Sequence, residues 1–314
     1  MNYYGLDIGT SRIRFFDSEE ILFDQPALIA YDSDNDPIAI GDKAHALKGS
    51  GNVRPLDSLE ALFLYCNQIF DDYHVFGIFR KTTVLFSCPV IFSETEKEEI
   101  KQYLLKQGAM HAVSDIEIWY AALGSKINID SDLSSCILHI GHDNATIGVF
   151  SRNQIDHTAQ NPIAGRQLEH QIRHWILEQC HLQISDHVLS DMKLLIGQCI
   201  AQPFPQSFPV QGFDTRTQKS RSMQFDENQF VQAVSGVLYQ WSNWIYLFLS
   251  TLSPITQQQI AMRGIICCGG TFLLRNLAPA LQNQLNIPFY ICPNPDQTVI
   301  QGMQVILSRM EEGL

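Results

Sequence analysis

Apolar and polar residues alternate along Tyr3–Phe16, and the alternation predicts a β-hairpin. Tyr3, Gly5 and Asp7 fall on one face of its first strand, and Tyr4, Leu6 and Ile8 on the other. Gly9-Thr10-Ser11 supplies the turn, and Ile13, Phe15 and Phe16 lie along the return strand. The layout recurs in residues 136–150, CILHIGHDNATIGVF, where Leu138-His139-Ile140-Gly141 echoes Leu6-Asp7-Ile8-Gly9. Two such hairpins in one chain predict duplicated halves.

Between the hairpins the pattern predicts strands over 25–31 and 38–41, a short helix over 43–48, and an amphipathic helix over 59–70. A loop over 74–81 precedes a strand over 83–88. A helix capped at Ser93 runs to Gln107 and stops at Gly108. A strand over 113–118 and a short helix over 120–126 complete the first half. In the second half, helices are predicted over 167–179, 185–199, 225–252 (capped by Asp226), 272–285 and 299–310. A buried strand is predicted over 263–268 and a further strand over 288–292, and 202–222, with its prolines, is read as loop and edge strand. The mixture predicts an α/β fold of two like domains around a cleft. The first spans 1–134, with a small subdomain at about 30–70, and the second 135–314, with one at about 180–235.

Composition narrows the function. The chain has 314 residues, 45% hydrophobic and 17% charged, which is globular, and long enough for two cores. With 33 acidic against 21 basic residues, the net charge of −12 disfavours nucleic acid as a partner and any adsorption of the whole molecule to anionic lipid. Eight cysteines without paired spacing, among them Cys267-Cys268 in an apolar run, are expected as reduced core thiols. No leader or membrane span is expected, because Asp7 interrupts the N-terminus and polar residues break the run 236–252. The expected location is the cytoplasm.

Three places carry candidate chemistry. Asp7 ends an apolar strand, where a carboxylate needs a cation or water, and the Gly9-Thr10-Ser11 turn offers backbone amides to an anion. A metal carboxylate beside phosphate-binding amides suits a nucleotide site; the alternative is a plain surface hairpin. The echo at Gly141 is the second place. Gly269-Gly270-Thr271, between a strand and a helix, is the third, where glycines let backbone approach a ligand at a helix N-terminus. His139, His142 and Asp143 offer zinc-type donors, but at a strand end the three point apart. His170 and His174 share a helix face without a visible third ligand.

These motifs, in this order, resemble the actin, heat-shock ATPase and sugar-kinase superfamily, and within it the bacterial actins of the MreB family. LDIGTS resembles the first phosphate loop, and PALIAYD, IAIGDKA and NVRPL the strands that follow. GAMHAVSDIEIWYAALGS (108–125) parallels the segment with the water-positioning glutamate and places it at Glu117, although the next residue is Ile118 rather than proline. IAGRQLEHQI is similar to the helix start beside the ribose, GIICCGGTFLLRNL to the adenosine motif, and IPFYICPNPDQTVIQG to the closing strand and helix. The resemblance implies an actin-like ATPase fold of two RNase H-like domains around a nucleotide cleft. It implies ATP and Mg2+ as cofactors, with Asp7 and Glu117 catalytic and Asp7 holding magnesium through water. Gly9, Thr10, Ser11, Gly141, Asn144, Gly165, Lys193, Gly269, Gly270 and Thr271 would line the nucleotide.

The second loop departs from the pattern. Gly141 is kept, but Asp is replaced by His139 and glycines by His142 and Asp143, and the acidic residue expected before Lys193 is Ser190. Asp143 is expected to repel phosphate by a few kcal/mol at about 5 Å and an effective dielectric near 20. Ile78 and Phe79, followed by Arg80 and Lys81, fall where the family carries a membrane-insertion loop; the alternative is that both fold back into the core. The implied function is a filament of the chain's own copies on the inner face of the membrane. It would organise cell shape with membrane proteins of cell-wall synthesis, and hydrolyse ATP slowly. The rival is a scaffold with a degenerate nucleotide site that binds protein partners or lipid.

Overall fold

In the computed structural model, residues 1–49, 51–89 and 92–313 are described. The chain forms two compact units, 1–126 with 299–314, and 127–298.

The first unit opens with β1 (Asn2–Ile8), β2 (Arg12–Phe16) and β3 (Ile21–Pro26), a meander that keeps Leu6, Ile13 and Phe15 in the core. An insertion follows: β4 (Leu28–Tyr31), β5 (Pro37–Ile40), α1 (Gly41–Ala46) and β6 (Asn52–Pro55), whose strands make a small sheet in the order β5-β4-β6. The stretch 25–31, read as one strand, is divided between these two sheets. Then come α2 (Leu59–Asp72), β7 (Thr82–Ser87), α3 (Glu94–Gln107), β8 (His111–Ser114) and α4 (Glu117–Gly124). The main sheet runs β3-β2-β1-β7-β8, with β7 parallel to both β1 and β8. Helix α3 starts in a capping box between Ser93 and Glu96 and ends at Gly108, as its sequence signals require.

The second unit repeats this plan. β9 (Ser135–Ile140), β10 (Ala145–Ser151) and β11 (Gln154–Asn161) form the meander. After α5 (Gly165–Cys180), an insertion of β12 (Leu182–Gln183), α6 (Asp186–Leu195), β13 (Ser207–Asp214) and β14 (Lys219–Asp226) builds a second small sheet, β12-β13-β14. α7 (Glu227–Ser250), α8 (Pro254–Arg263), β15 (Ile265–Cys268), a 3-10 turn at Gly270–Leu273, α9 (Leu277–Leu285) and β16 (Phe289–Ile291) complete it. The main sheet order β11-β10-β9-β15-β16 matches that of the first unit strand for strand, so the duplication extends beyond the hairpins.

The closing helix α10 (Thr298–Glu312) packs with the first unit and not, as expected, with the second half. Gly302 lies so close to Tyr120 that a Cβ would come within 1.8 Å of the Tyr120 carbonyl oxygen, and Gln304 Nε2 donates to Asp17 O at 3.2 Å. Two further expectations are corrected. Residues 207–226, expected up to 222 as loop and edge strand, form a regular antiparallel hairpin; its one proline, Pro209, pairs with Gln224 at a part of β13 that β12, paired only with Phe213 and Asp214, leaves uncovered. Glu117 is not on a strand but is the first residue of α4. The eight cysteines are unbridged and, Cys180 apart, buried; burial pushes the Cys66 and Cys199 thiols up to about 12. Among the described residues no helix is long and apolar enough to cross a membrane.

Candidate functional site

In each unit the site grows from one turn. The Gly9 amide donates to Arg12 O at 3.1 Å, and in the second unit the Gly141 amide donates to Asn144 O at 2.9 Å. Both turns therefore close through the same four-residue bond, at the end of the first strand of equivalent sheets. Thr10 and Ser11 stand at the tip of the first turn, Ser11 exposed.

Register fixes the partners of Asp7. The turn sets it opposite Arg14 on β2, and parallel pairing sets it opposite Ser87 on β7. Asp7 and Arg14 are both buried, and Arg14 Nη1 lies 3.4 Å from Asp7 Oδ2 while its Nε reaches Asp24 Oδ1 at 3.2 Å. The cation that a buried carboxylate needs is thus already supplied by the chain. Ser87 Oγ is buried with no hydrogen-bond partner among the described residues, an orphaned oxygen beside Asp7 at the same sheet edge.

Glu117 reaches this edge from α4. It is half-buried, and burial pushes its carboxyl up to about 7. Both Glu117 and Asp7 act on the thiol of Cys88, just past β7, which burial chiefly pushes up to about 12. Asp7 lies near the carboxyl end of β1, the usual ligand edge of such sheets, and both acids expected to be catalytic act on Cys88 just past the parallel strand β7. Asp7, Glu117 and Ser87 are hard oxygen donors of the kind that hold hydrated magnesium.

In the second unit, the Gly141 carbonyl accepts from the Gly165 amide at 3.1 Å and from Thr271 Oγ1 at 2.9 Å. Three expected binding positions are thereby brought together: the second loop, the start of α5 and the turn after β15. Gly269 has φ +97°, and a Cβ there would lie 2.3 Å from Ile140 O, so only glycine allows this approach. Gly270 is exposed beside Asp296. Asn144 is buried and donates to Thr146 Oγ1 at 2.9 Å, which turns its amide along β10.

Asp143 does not stand as an unopposed charge. Arg166, in the first turn of α5, grips it through two bonds, Nη2 to Oδ2 at 2.8 Å and Nε to Oδ1, and the contact raises the Arg166 pKa. Lys193, on the last turn of α6, is held in turn by Glu169. His142 lies among these four charges, and burial holds its imidazole below the usual range despite the two carboxylates. The residues that replace glycine in the loop have thus brought a paired network with them. His139 is buried opposite Thr146. Among the described residues no three His, Cys, Asp or Glu side chains are grouped to hold a metal.

Ile78 and Phe79 are 97% and 98% exposed on the 77–80 turn, which the Arg80 amide closes on Gly77 O at 2.9 Å. Neighbouring Val75 is fully buried and Phe76 packs on Phe70. The core alternative for the pair is thereby overturned.

Sequence reasoning missed Arg14, Ser87, Arg166 and Glu169. Counting register outward from the Gly9 turn would have found Arg14; the others lie far away in sequence.

The family model described as MreB/Mbl protein matches residues 1–313. The chain is 24% identical to the cell shape-determining protein Mbl of Bacillus subtilis, over 98% of this chain and 96% of that one. It is 22% identical to the cell shape-determining protein MreB of Escherichia coli, over 96% and 92%. Its fold resembles MreB 5 of Spiroplasma citri bound to AMPPNP, with TM-score 0.91, 23% identity and 99% and 98% coverage. It also resembles the MamK double helical filament, with TM-score 0.82, 16% identity and 98% of each chain covered. The fold is actin-like.

Proposed function

The chain belongs to the MreB/Mbl family, and from that membership we propose that it is a divergent bacterial actin that binds ATP with magnesium and assembles with its own copies into filaments. The observation that carries this reading is the pair of equivalent glycine turns, each at the carboxyl edge of an equivalently ordered sheet. Relatives support the rest: MreB5 of Spiroplasma citri was solved with AMPPNP and with ADP, and MamK as a filament.

In this reading Thr10 and Ser11 contact phosphate, and Asp7, with Ser87 beside it, would hold a hydrated magnesium ion, which would supply positive charge against the phosphates. Glu117, as carboxylate, accepts a hydrogen bond from the attacking water. Gly141 and Asn144, on the second turn, contact phosphate as well, and Gly165, Lys193, Gly269, Gly270 and Thr271 shape the nucleoside side. Hydrolysis is slow, because Glu117 is partly protonated near neutral pH. The exposed Ile78–Phe79 pair, flanked by Arg80 and Lys81, anchors filaments to the inner face of the cell membrane, where they organise cell shape.

A second reading is a scaffold without nucleotide, favoured by one observation: Arg166 and Lys193 are both held by the chain's own carboxylates. Titration of labelled ATP with and without magnesium separates the two. Saturable, magnesium-dependent binding supports the first; none at millimolar ATP supports the scaffold.

A further inference from the structure

Four neighbouring strands of the first unit carry one polar row. Register sets Asp24 on β3 opposite Arg14 on β2, Arg14 opposite Asp7 on β1, and Asp7 opposite Ser87 on β7. Residues opposite one another share a face of the sheet, so these four stand in line, while Leu6, Ile13 and Phe15 alternate to the other face and its core. Asp7, Arg14 and Ser87 are 6%, 9% and 0% exposed, so water screens the charges poorly. Arg14 reaches two carboxylates at once: Nη1 lies 3.4 Å from Asp7 Oδ2, and Nε 3.2 Å from Asp24 Oδ1. Arg12 also binds Asp24, its Nε donating to Oδ1 at 2.5 Å and its Nη2 to the carbonyl oxygen at 2.7 Å. Cations and carboxylates thus alternate as Arg12, Asp24, Arg14, Asp7. Ser87 does not join them: its Oγ, although next to Asp7 in the row, has no hydrogen-bond partner among the described residues.

We propose that Arg14 is a positioning residue that competes with divalent cations for Asp7. It neutralises the carboxylate until it withdraws to Asp24, and Ser87 Oγ then donates to Asp7 from the other side. The proposal rests on the reading in which Asp7 holds magnesium, and it gives that site a threshold. A guanidinium and a divalent ion at one buried carboxylate repel each other, so the two do not hold it together at full strength. Arg14 has a second seat within reach, because its Nε already lies against Asp24. Ser87 is an unsatisfied buried hydroxyl while Arg14 engages Asp7, and a reoriented Asp7 carboxylate gives it an acceptor in the row. The site therefore fills and empties with the free concentration of the ion instead of staying filled.

The test uses the full chain without nucleotide and Mn2+ as the probe, with free ion counted by electron paramagnetic resonance. Arg14→Met is expected to bind Mn2+ about tenfold more tightly than the parent. Arg14→Met with Asp7→Asn should lose that gain and sets the background of the surface carboxylates. Asp24→Asn removes the second seat, keeps Arg14 on Asp7 and is expected to weaken binding several-fold. An ion-pair network that only stiffened the hairpin would not move the two single variants in opposite directions. Equal binding by the parent and Arg14→Met, at whatever strength, overturns the competition, and so does tighter binding by Asp24→Asn. If Arg14→Met does not fold, Asp24→Asn decides alone, because its side chain is partly exposed and its shape is kept. The magnesium concentration that half-saturates fluorescent-ATP binding should follow the same order. Mn2+ binding in this order with no ATP bound by any variant keeps the role of Arg14 and refutes the nucleotide reading. ATP binding with the same magnesium requirement in all variants, and unchanged Mn2+ binding, keeps the nucleotide reading and refutes the role of Arg14.

Discussion

Arg166→Ala tests whether the rebuilt second loop is electrostatically balanced. It leaves Asp143 without its cation at the turn where phosphate is proposed to bind. A unit charge about 5 Å from a phosphate oxygen contributes about 3 kcal/mol at an effective dielectric near 20. The Arg166 side chain is 46% exposed and that of Asp143 15%, so solvent screens part of this, leaving about 1–2 kcal/mol. ATP affinity should fall about five- to thirty-fold. Asp143→Asn removes the opposite charge, frees the guanidinium and should tighten binding. The double variant should return close to the parent, because the two effects share one pair. Fluorescent-ATP titration of all four proteins in magnesium closes the cycle. If Asp143→Asn weakens binding, or Arg166→Ala leaves it unchanged, the loop is not balanced in this way.

Glu117→Ala should slow turnover with little change in ATP affinity, and the parent's rate should rise with pH through about 7 as the carboxyl ionises; a flat profile removes Glu117 from the reaction. Because folding raises this carboxyl from 4.5 to about 7, its stabilising effect is full below 4.5 and is lost as pH rises through about 7. Glu117→Gln should accordingly flatten the fall in melting temperature between pH 5 and pH 8 (about the range spanned). Gly302→Ala forces a methyl against Tyr120 O and should destabilise the first unit by about 1–3 kcal/mol, seen in urea melts as a lower midpoint. Ile78→Ser with Phe79→Ser should release filaments from anionic vesicles without preventing assembly. Full burial of each would contribute about 1.5–3 kcal/mol, less for a turn that inserts partly. Unaltered co-sedimentation would assign the pair to another contact.

Local signals were the legible ones. The period-2 hairpins, the Ser93 and Asp226 caps and the Gly108 stop depend on neighbours in sequence, and each is where the pattern placed it. Residues 207–226 were legible only as loop and edge strand, because Pro209, Gly212 and a run of polar residues hide the alternation that their pairing restores. The home of α10 was hidden for another reason: a glycine against a carbonyl from residue 120 is a tertiary fact that no window of sequence contains. The same holds for the site. Asp7 and the glycine turns were visible, whereas the ion pairs Asp143–Arg166 and Glu169–Lys193 join residues more than twenty apart. The charge of Asp143 was therefore read without the cation that opposes it.

Assembly is the central claim, and electron microscopy of the purified chain with ATP and magnesium tests it most directly. Filaments that form with ATP and magnesium, and fail to form when Gly9 or Gly141 is replaced by a bulky residue, are the expected result. Monodisperse particles at every nucleotide and magnesium concentration would contradict it.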